Sequence, residues 1–153
     1  MIEMALPTAC DTDALARRLA PHLRAGDVLL LEGPIGAGKT HFARALIREL
    51  QRAAGQVPEE VPSPSFTLVQ GYAAGDLAIT HADLYRLSGP GEVAELGLDT
   101  DGLLLIEWPD RLGSETPPGA LTLRFAHAEE WRALTLAPDG SRAAALAREA
   151  AGG

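Results

Sequence analysis

The chain has 153 residues, 46% of them hydrophobic and 22% charged, and a formal net charge of −8. That length suits one domain with a real core, and the balance excludes disorder, collagen-like repeats and coiled coil. The acidity argues against a bare electrostatic grip on DNA, RNA or an anionic membrane, and no apolar run approaches the ~18 residues of a bilayer span.

In chain order, a strand is predicted at Ile2–Leu6 and a helix from Thr12 or Asp13 to Leu23, with Leu15, Leu19 and Leu23 on one face. The single cysteine, Cys10, makes no internal disulfide and reads as a packed or half-exposed thiol. Met1–Cys10 has no positive charge ahead of an apolar stretch, so a reducing, cytoplasmic setting is expected. The apolar run from Asp27 to Glu32 predicts a buried strand, and His41–Arg52 an amphipathic helix. A proline- and acid-rich surface loop follows from Gly55 to Pro64.

Strands at Phe66–Tyr72 and Leu77–Ala82 form a predicted antiparallel hairpin, and Glu92–Leu96 a short helix. Leu103–Ile106 is a second buried strand, and Gly113–Gly119 a loop. Leu121–Ala126 and Trp131–Leu136 form another hairpin before an alanine-rich helix over Ser141–Ala151. Trp108 and Trp131 are expected to cover the sheet edge or fill the core. No repeat or linker divides the chain, so one domain over residues 1–153 is expected.

Between the first buried strand and its helix stands Gly33-Pro34-Ile35-Gly36-Ala37-Gly38-Lys39-Thr40, which fits G-x-x-x-x-G-K-[ST]. Glycines there let successive amides, Ile35 to Lys39 among them, turn toward phosphate oxygens at a helix N-terminus. Lys39 would reach the β and γ phosphates, and the Thr40 hydroxyl would bind Mg²⁺. Of 13 basic residues, Lys39 is the only lysine, which suits a cradle too tight for a guanidinium fork.

Such a loop needs an acid at the end of a neighbouring strand. Glu107, after Leu103–Ile106, is assigned to the metal, and Asp83 to its outer sphere or to the attacking water; the two roles are exchangeable on sequence grounds. His81 lies two residues before Asp83 on the same strand face and is placed to orient that acid or a phosphate. Arg86 and Arg111 are each within reach of a phosphate, although isolated surface arginines are commoner. The chain contains no asparagine and so lacks the N-K-x-D guanine reader. Asp99-Thr100-Asp101-Gly102 follows no apolar strand and reads as a turn, which favours adenine as the base. The histidines lack metal-ligand spacing.

Gly33–Thr40, then Ser63-Pro64-Ser65-Phe66-Thr67-Leu68-Val69, then His81-Ala82-Asp83-Leu84-Tyr85-Arg86-Leu87, then Ile106-Glu107-Trp108-Pro109 together resemble the TsaE family, bacterial ATPases of the tRNA threonylcarbamoyladenosine pathway. The resemblance implies an α/β, P-loop NTPase-like three-layer domain, with a mixed, mainly parallel central sheet plus antiparallel hairpins. It also implies weak hydrolysis of ATP in a complex with the TsaB and TsaD proteins, supporting installation of threonylcarbamoyl on adenosine 37 of ANN-decoding tRNAs. The tRNA would be contacted indirectly, through those partners.

By the same resemblance, Lys39 would serve the phosphates, Thr40 and Glu107 the Mg²⁺, Asp83 hydrolysis, and Trp108 support of that site. Thr12 would lie near the adenine with Arg132 on the opposite side, and Ser63–Thr67 would order with nucleotide. Ser65, Ala82 and Pro34 depart from the family's usual threonine, aromatic and acidic residues. Two other readings stand beside this one: a nucleotide-gated interaction module, and a small-molecule kinase.

Overall fold

The structure, a computed structural model, describes residues 1–98, 101–127 and 132–152. In chain order its elements are β1 (Ile2–Leu6), α1 (Ala9–Leu19), β2 (Val28–Glu32), α2 (Lys39–Ala53), β3 (Val69–Ala74) and β4 (Leu77–Asp83). These are followed by α3 (Pro90–Leu96), β5 (Leu103–Glu107), β6 (Leu121–His127), β7 (Arg132–Pro138) and α4 (Gly140–Ala150). Short 3-10 turns lie at Ala20–His22, Pro109–Arg111 and Gly113–Glu115.

The strands form one sheet in the order β1-β7-β6-β2-β5-β4-β3. The inner four, β6, β2, β5 and β4, run parallel. The β6–β7, β1–β7 and β3–β4 pairs are antiparallel, so the expected mixed α/β sheet with flanking hairpins is what forms.

β2 and β5 are unbroken apolar runs because both their faces are covered. Leu29, Leu31, Leu103 and Leu105 face one way, into a core shared with Leu15 and Leu19 of α1, Phe42 and Leu46 of α2, and Leu146 of α4. Val28, Leu30, Leu104 and Ile106 face the other way, against Leu84, Val93 of α3 and Leu112. The two clusters make a three-layer arrangement, with the larger core on the α1/α2/α4 side. Among the described residues, no helix is long and apolar enough to cross a membrane.

Three local expectations change. The first helix begins at Ala9, not Thr12 or Asp13, because Thr8 and Asp11 form a reciprocal capping box, and its last turn tightens at Ala20–His22. Cys10 is therefore exposed in the first turn of α1, not packed. Phe66 is 88% exposed and outside the sheet: the chain turns from Pro64, whose carbonyl accepts from the Leu68 amide at 2.7 Å, and pairing starts at Val69. The Gly113–Gly119 loop contains a 3-10 turn. Trp131, Asp99 and Thr100 lie outside the described residues.

Candidate functional site

β2, β5 and β4 are adjacent and parallel, with Leu31 level with Glu107 and Glu107 level with Asp83. Their carboxyl ends therefore bring the glycine loop and both candidate acids to one edge of the sheet, where ligands of open α/β folds bind. Gly33 starts the loop at φ 142°, and a Cβ there would collide with the Phe125 carbonyl oxygen, so a side chain is excluded by both conformation and space. Gly38, at φ 108°, caps α2, whose first residue is Lys39. The amides of that first turn lack intrahelical acceptors and suit an anion.

Behind this loop lies a cavity of about 500 Å³. Ile35, Gly36, Gly38, Lys39, Thr40, Asp83, Glu107, Trp108 and Arg132 all line it. Ala37 is fully buried within the loop, and Gly33 shapes the loop without lining the cavity. Thr12 is not brought there: it is 1% exposed, inside α1, and Ala9 stands at the cavity wall in its place. That displacement follows from the early helix start, and Thr8-x-x-Asp11 was the signal that would have found it.

The polar groups form a connected set. Thr40 Oγ1 donates to Glu107, at 2.8 Å from Oε1 and 3.1 Å from Oε2. His81, expected beside Asp83 or a phosphate, instead places Nε2 2.7 Å from Glu107 Oε2. Asp83 accepts from Ser65 Oγ at 3.2 Å and from the Tyr85 amide at 3.0 Å. Ser63 and Ser65 hydroxyls lie 2.7 Å apart, tying the 63–68 loop to that acid.

Lys39 folds over the loop, donating to the Gly33 carbonyl, with its Nζ 3.7 Å from the centroid of a Trp108 ring. Burial holds its amine below the ordinary lysine value, against the opposing pull of the Glu107, Asp83 and Asp110 carboxylates. Trp108 packs against the smaller core cluster, as expected, while its ring also meets the lysine. It lies half-buried under the lysine, 4.7 Å from the Tyr85 ring. Its backbone is left-handed at φ 59°, as is that of Leu68 at φ 68°, conformations that cost of order 1–3 kcal/mol for such residues. Both strained positions flank the cavity, one after β5 and one before β3.

The donor set suits a hard cation shared with phosphates. The Thr40 hydroxyl directs its hydrogen to Glu107, leaving oxygen lone pairs available, and a cation that keeps several waters requires only one or two protein ligands. Among the described residues no three His, Cys, Asp or Glu side chains gather as an all-protein metal nest.

Arg86 lies off the cavity, donating to the Ser65 and Phe66 carbonyls at 3.1 and 3.3 Å, and Arg111 pairs with Asp110 at 2.6 Å. A separate groove of about 290 Å³ between α1 and α2 is lined by Arg17, Arg44, Arg48 and Arg52. Arg44 and Arg48 donate to the Val61 and Glu59 carbonyls at 2.8 and 2.6 Å and so brace the approach to the 63–68 loop, while Arg52 pairs with Glu49 within α2.

A family model described as "Threonylcarbamoyl adenosine biosynthesis protein TsaE" matches residues 6–134. The tRNA threonylcarbamoyladenosine biosynthesis protein TsaE of Bacillus subtilis is 33% identical over 144 residues, covering 91% of this chain and 87% of that protein. Its counterpart in Rickettsia conorii is 42% identical over 103 residues, 65% of this chain; that match spans only 57% of the Rickettsia protein. Among solved structures, the crystal structure of Bacillus subtilis YdiB superposes with a TM-score of 0.77 at 28% identity, covering 98% of this chain and 93% of that one. With a model match over most of its length and a near full-length relative, the chain belongs to the TsaE family of threonylcarbamoyl adenosine biosynthesis proteins.

Proposed function

We propose that this chain is a Mg²⁺-dependent ATPase that hydrolyses ATP weakly and works in the cytoplasm with TsaB and TsaD proteins to install threonylcarbamoyl on adenosine 37 of ANN-decoding tRNAs. The observation that carries the nucleotide reading is the Thr40–Glu107 hydrogen bond beside Lys39, at the junction of a glycine loop and a helix N-terminus. That set of groups matches what a nucleotide triphosphate with its metal requires.

In this reading the loop amides and Lys39 bind the β and γ phosphates, while Thr40 and Glu107 hold the Mg²⁺. When bound, the cation neutralises charge on the phosphate oxygens. Asp83, fixed by Ser65 and the Tyr85 amide, orients the water whose oxygen attacks the γ phosphorus as the bond to the ADP oxygen breaks. Trp108 supports Lys39 from beneath, and Arg132 closes the side of the cavity near Gly38. With a net charge of −8, the chain leaves most of the tRNA to its partners and meets it indirectly.

A second reading, a nucleotide-gated interaction module, is favoured by one contact: Ser65 connects the partly exposed 63–68 loop to Asp83, so the state of the site would be felt at the surface. Reconstitution with TsaB and TsaD separates the readings. Multiple-turnover formation of threonylcarbamoyladenosine, stimulated by wild-type chain and not by Asp83→Ala, supports the ATPase. Stimulation retained by Asp83→Ala with hydrolysis lost supports gating. No stimulation at all, with phosphate passed to an added small-molecule acceptor, would replace both with a kinase.

A further inference from the structure

We infer that His81 is the positioning residue that aims Glu107 at Thr40, an inference that rests on the nucleotide-and-magnesium reading of the cavity. His81 is level with Leu105 on β5, one step below the Asp83–Glu107 pair and on the same face of the sheet. Around it that face is apolar: Ile79, Leu103, Leu105, Leu31 and Phe42 are each no more than 1% exposed. Packing alone calls for another aliphatic side chain there, since burying an imidazole costs free energy unless its polar atoms are partnered.

His81 is itself fully buried, and its Nδ1 has no hydrogen-bond partner. One bond accounts for its presence, that from Nε2 to Glu107 Oε2 at 2.7 Å. A carboxylate only accepts, so the proton sits on Nε2 and Nδ1 presents a lone pair to the interior. With Oε2 held from below, Oε1 stays 2.8 Å from the Thr40 hydroxyl. Released from His81, Glu107 would have a competing partner in the nearby Lys39 amine, whose charge already feels that carboxylate. His81 therefore keeps the acid on the threonine and off the lysine, leaving Lys39 for phosphate.

The test is calorimetric titration of the full chain with ATP, with and without MgCl₂, for wild type, His81→Leu and His81→Gln. Loss of a partner that orients a metal ligand typically weakens metal affinity by about 10–100-fold, so His81→Leu should lose that much of the Mg²⁺-dependent gain, with a smaller loss of metal-free affinity as Glu107 competes for Lys39. His81→Gln, whose amide nitrogen reaches about as far as Nε2, should recover most of the gain. The ¹⁵N shifts of His81 in the wild type should report the Nε2-protonated tautomer and move on addition of MgATP.

A folded His81→Leu with the full Mg²⁺ gain, or a His81→Gln no better than His81→Leu, would overturn the inference. Should His81→Leu fail to fold, the glutamine variant and the tautomer decide, and protonation at Nδ1 would reject it. Wild-type chain with no Mg²⁺-dependent ATP binding would instead reject the nucleotide reading, and this inference with it.

Discussion

Two buried acids near opposite ends of the β2–β5 pair are treated differently. Asp27, just before β2, is 6% exposed and accepts from the Arg24 amide at 2.9 Å and from Arg142 at 3.1 and 2.8 Å. The Asp27 hydrogen bond holds the Arg142 guanidinium above its ordinary value, and the pair closes on itself, tying α4 to the start of the sheet. Glu107, at the end of β5, lies level with a second carboxylate, Asp83, and near a lysine that donates elsewhere. Its histidine partner keeps an unpaired nitrogen, and a strained Trp108 backbone follows it. A polar cluster that serves the fold satisfies its own atoms. The second cluster, proposed to serve a ligand, keeps groups in reserve and tolerates strain.

The contrast can be broken from either side. The largest expected effect is at the ligand end: Glu107→Gln should cost at least as much of the Mg²⁺-dependent gain in ATP affinity, measured by titration, as loss of its positioning partner does, about 10–100-fold. Its melting temperature should hold or fall slightly, because the amide keeps only one of the two oxygens that accept from His81 and Thr40. At the structural end the loss falls on stability instead. Arg142→Ala leaves a buried carboxylate without its cation and should cost about 1–3 kcal/mol by urea unfolding, less than a fully buried pair because the arginine is partly exposed. ATP affinity should be unchanged.

The smallest effect sharpens the comparison at a surface device, the Thr8–Asp11 capping box. Thr8→Ala should cost about 1 kcal/mol. Hydrogen bonds from Thr8 hold the Asp11 carboxyl below its ordinary value of 3.8. Its contribution is therefore present above that value and lost as pH falls through the lower folded-state pKa. Unfolding curves of wild type and Asp11→Asn should differ at pH 6 and converge in strong acid.

What was legible in the sequence followed from short-range physics. The apolar runs of β2 and β5 announce strands covered on both faces, and the glycine spacing announces the loop between β2 and α2. Glu107 stood out because it ends such a run, and the structure places it at the cavity wall. His81's partner was not legible, because strand alternation places a side chain on a face without saying which neighbouring strand lies there. β4 pairs with β5, so Glu107 comes within reach of His81, while Asp83, two residues along the same strand, points to the rim. Thr12 was misplaced through a helix start read three or four residues late, and Ala9 stands at the cavity wall. Phe66 opens the predicted strand, but Pro64 and the left-handed Leu68 turn the chain there first.

The most direct test of the account is calorimetric titration of ATP, in the presence of Mg²⁺, into wild-type chain and Lys39→Ala. The lysine leans over the loop and not into the core, so the variant should stay folded by circular dichroism and lose about 100-fold in affinity, as fits the loss of a charged hydrogen-bond donor. Equal affinity in the two proteins would contradict the assignment of this cavity to a nucleotide.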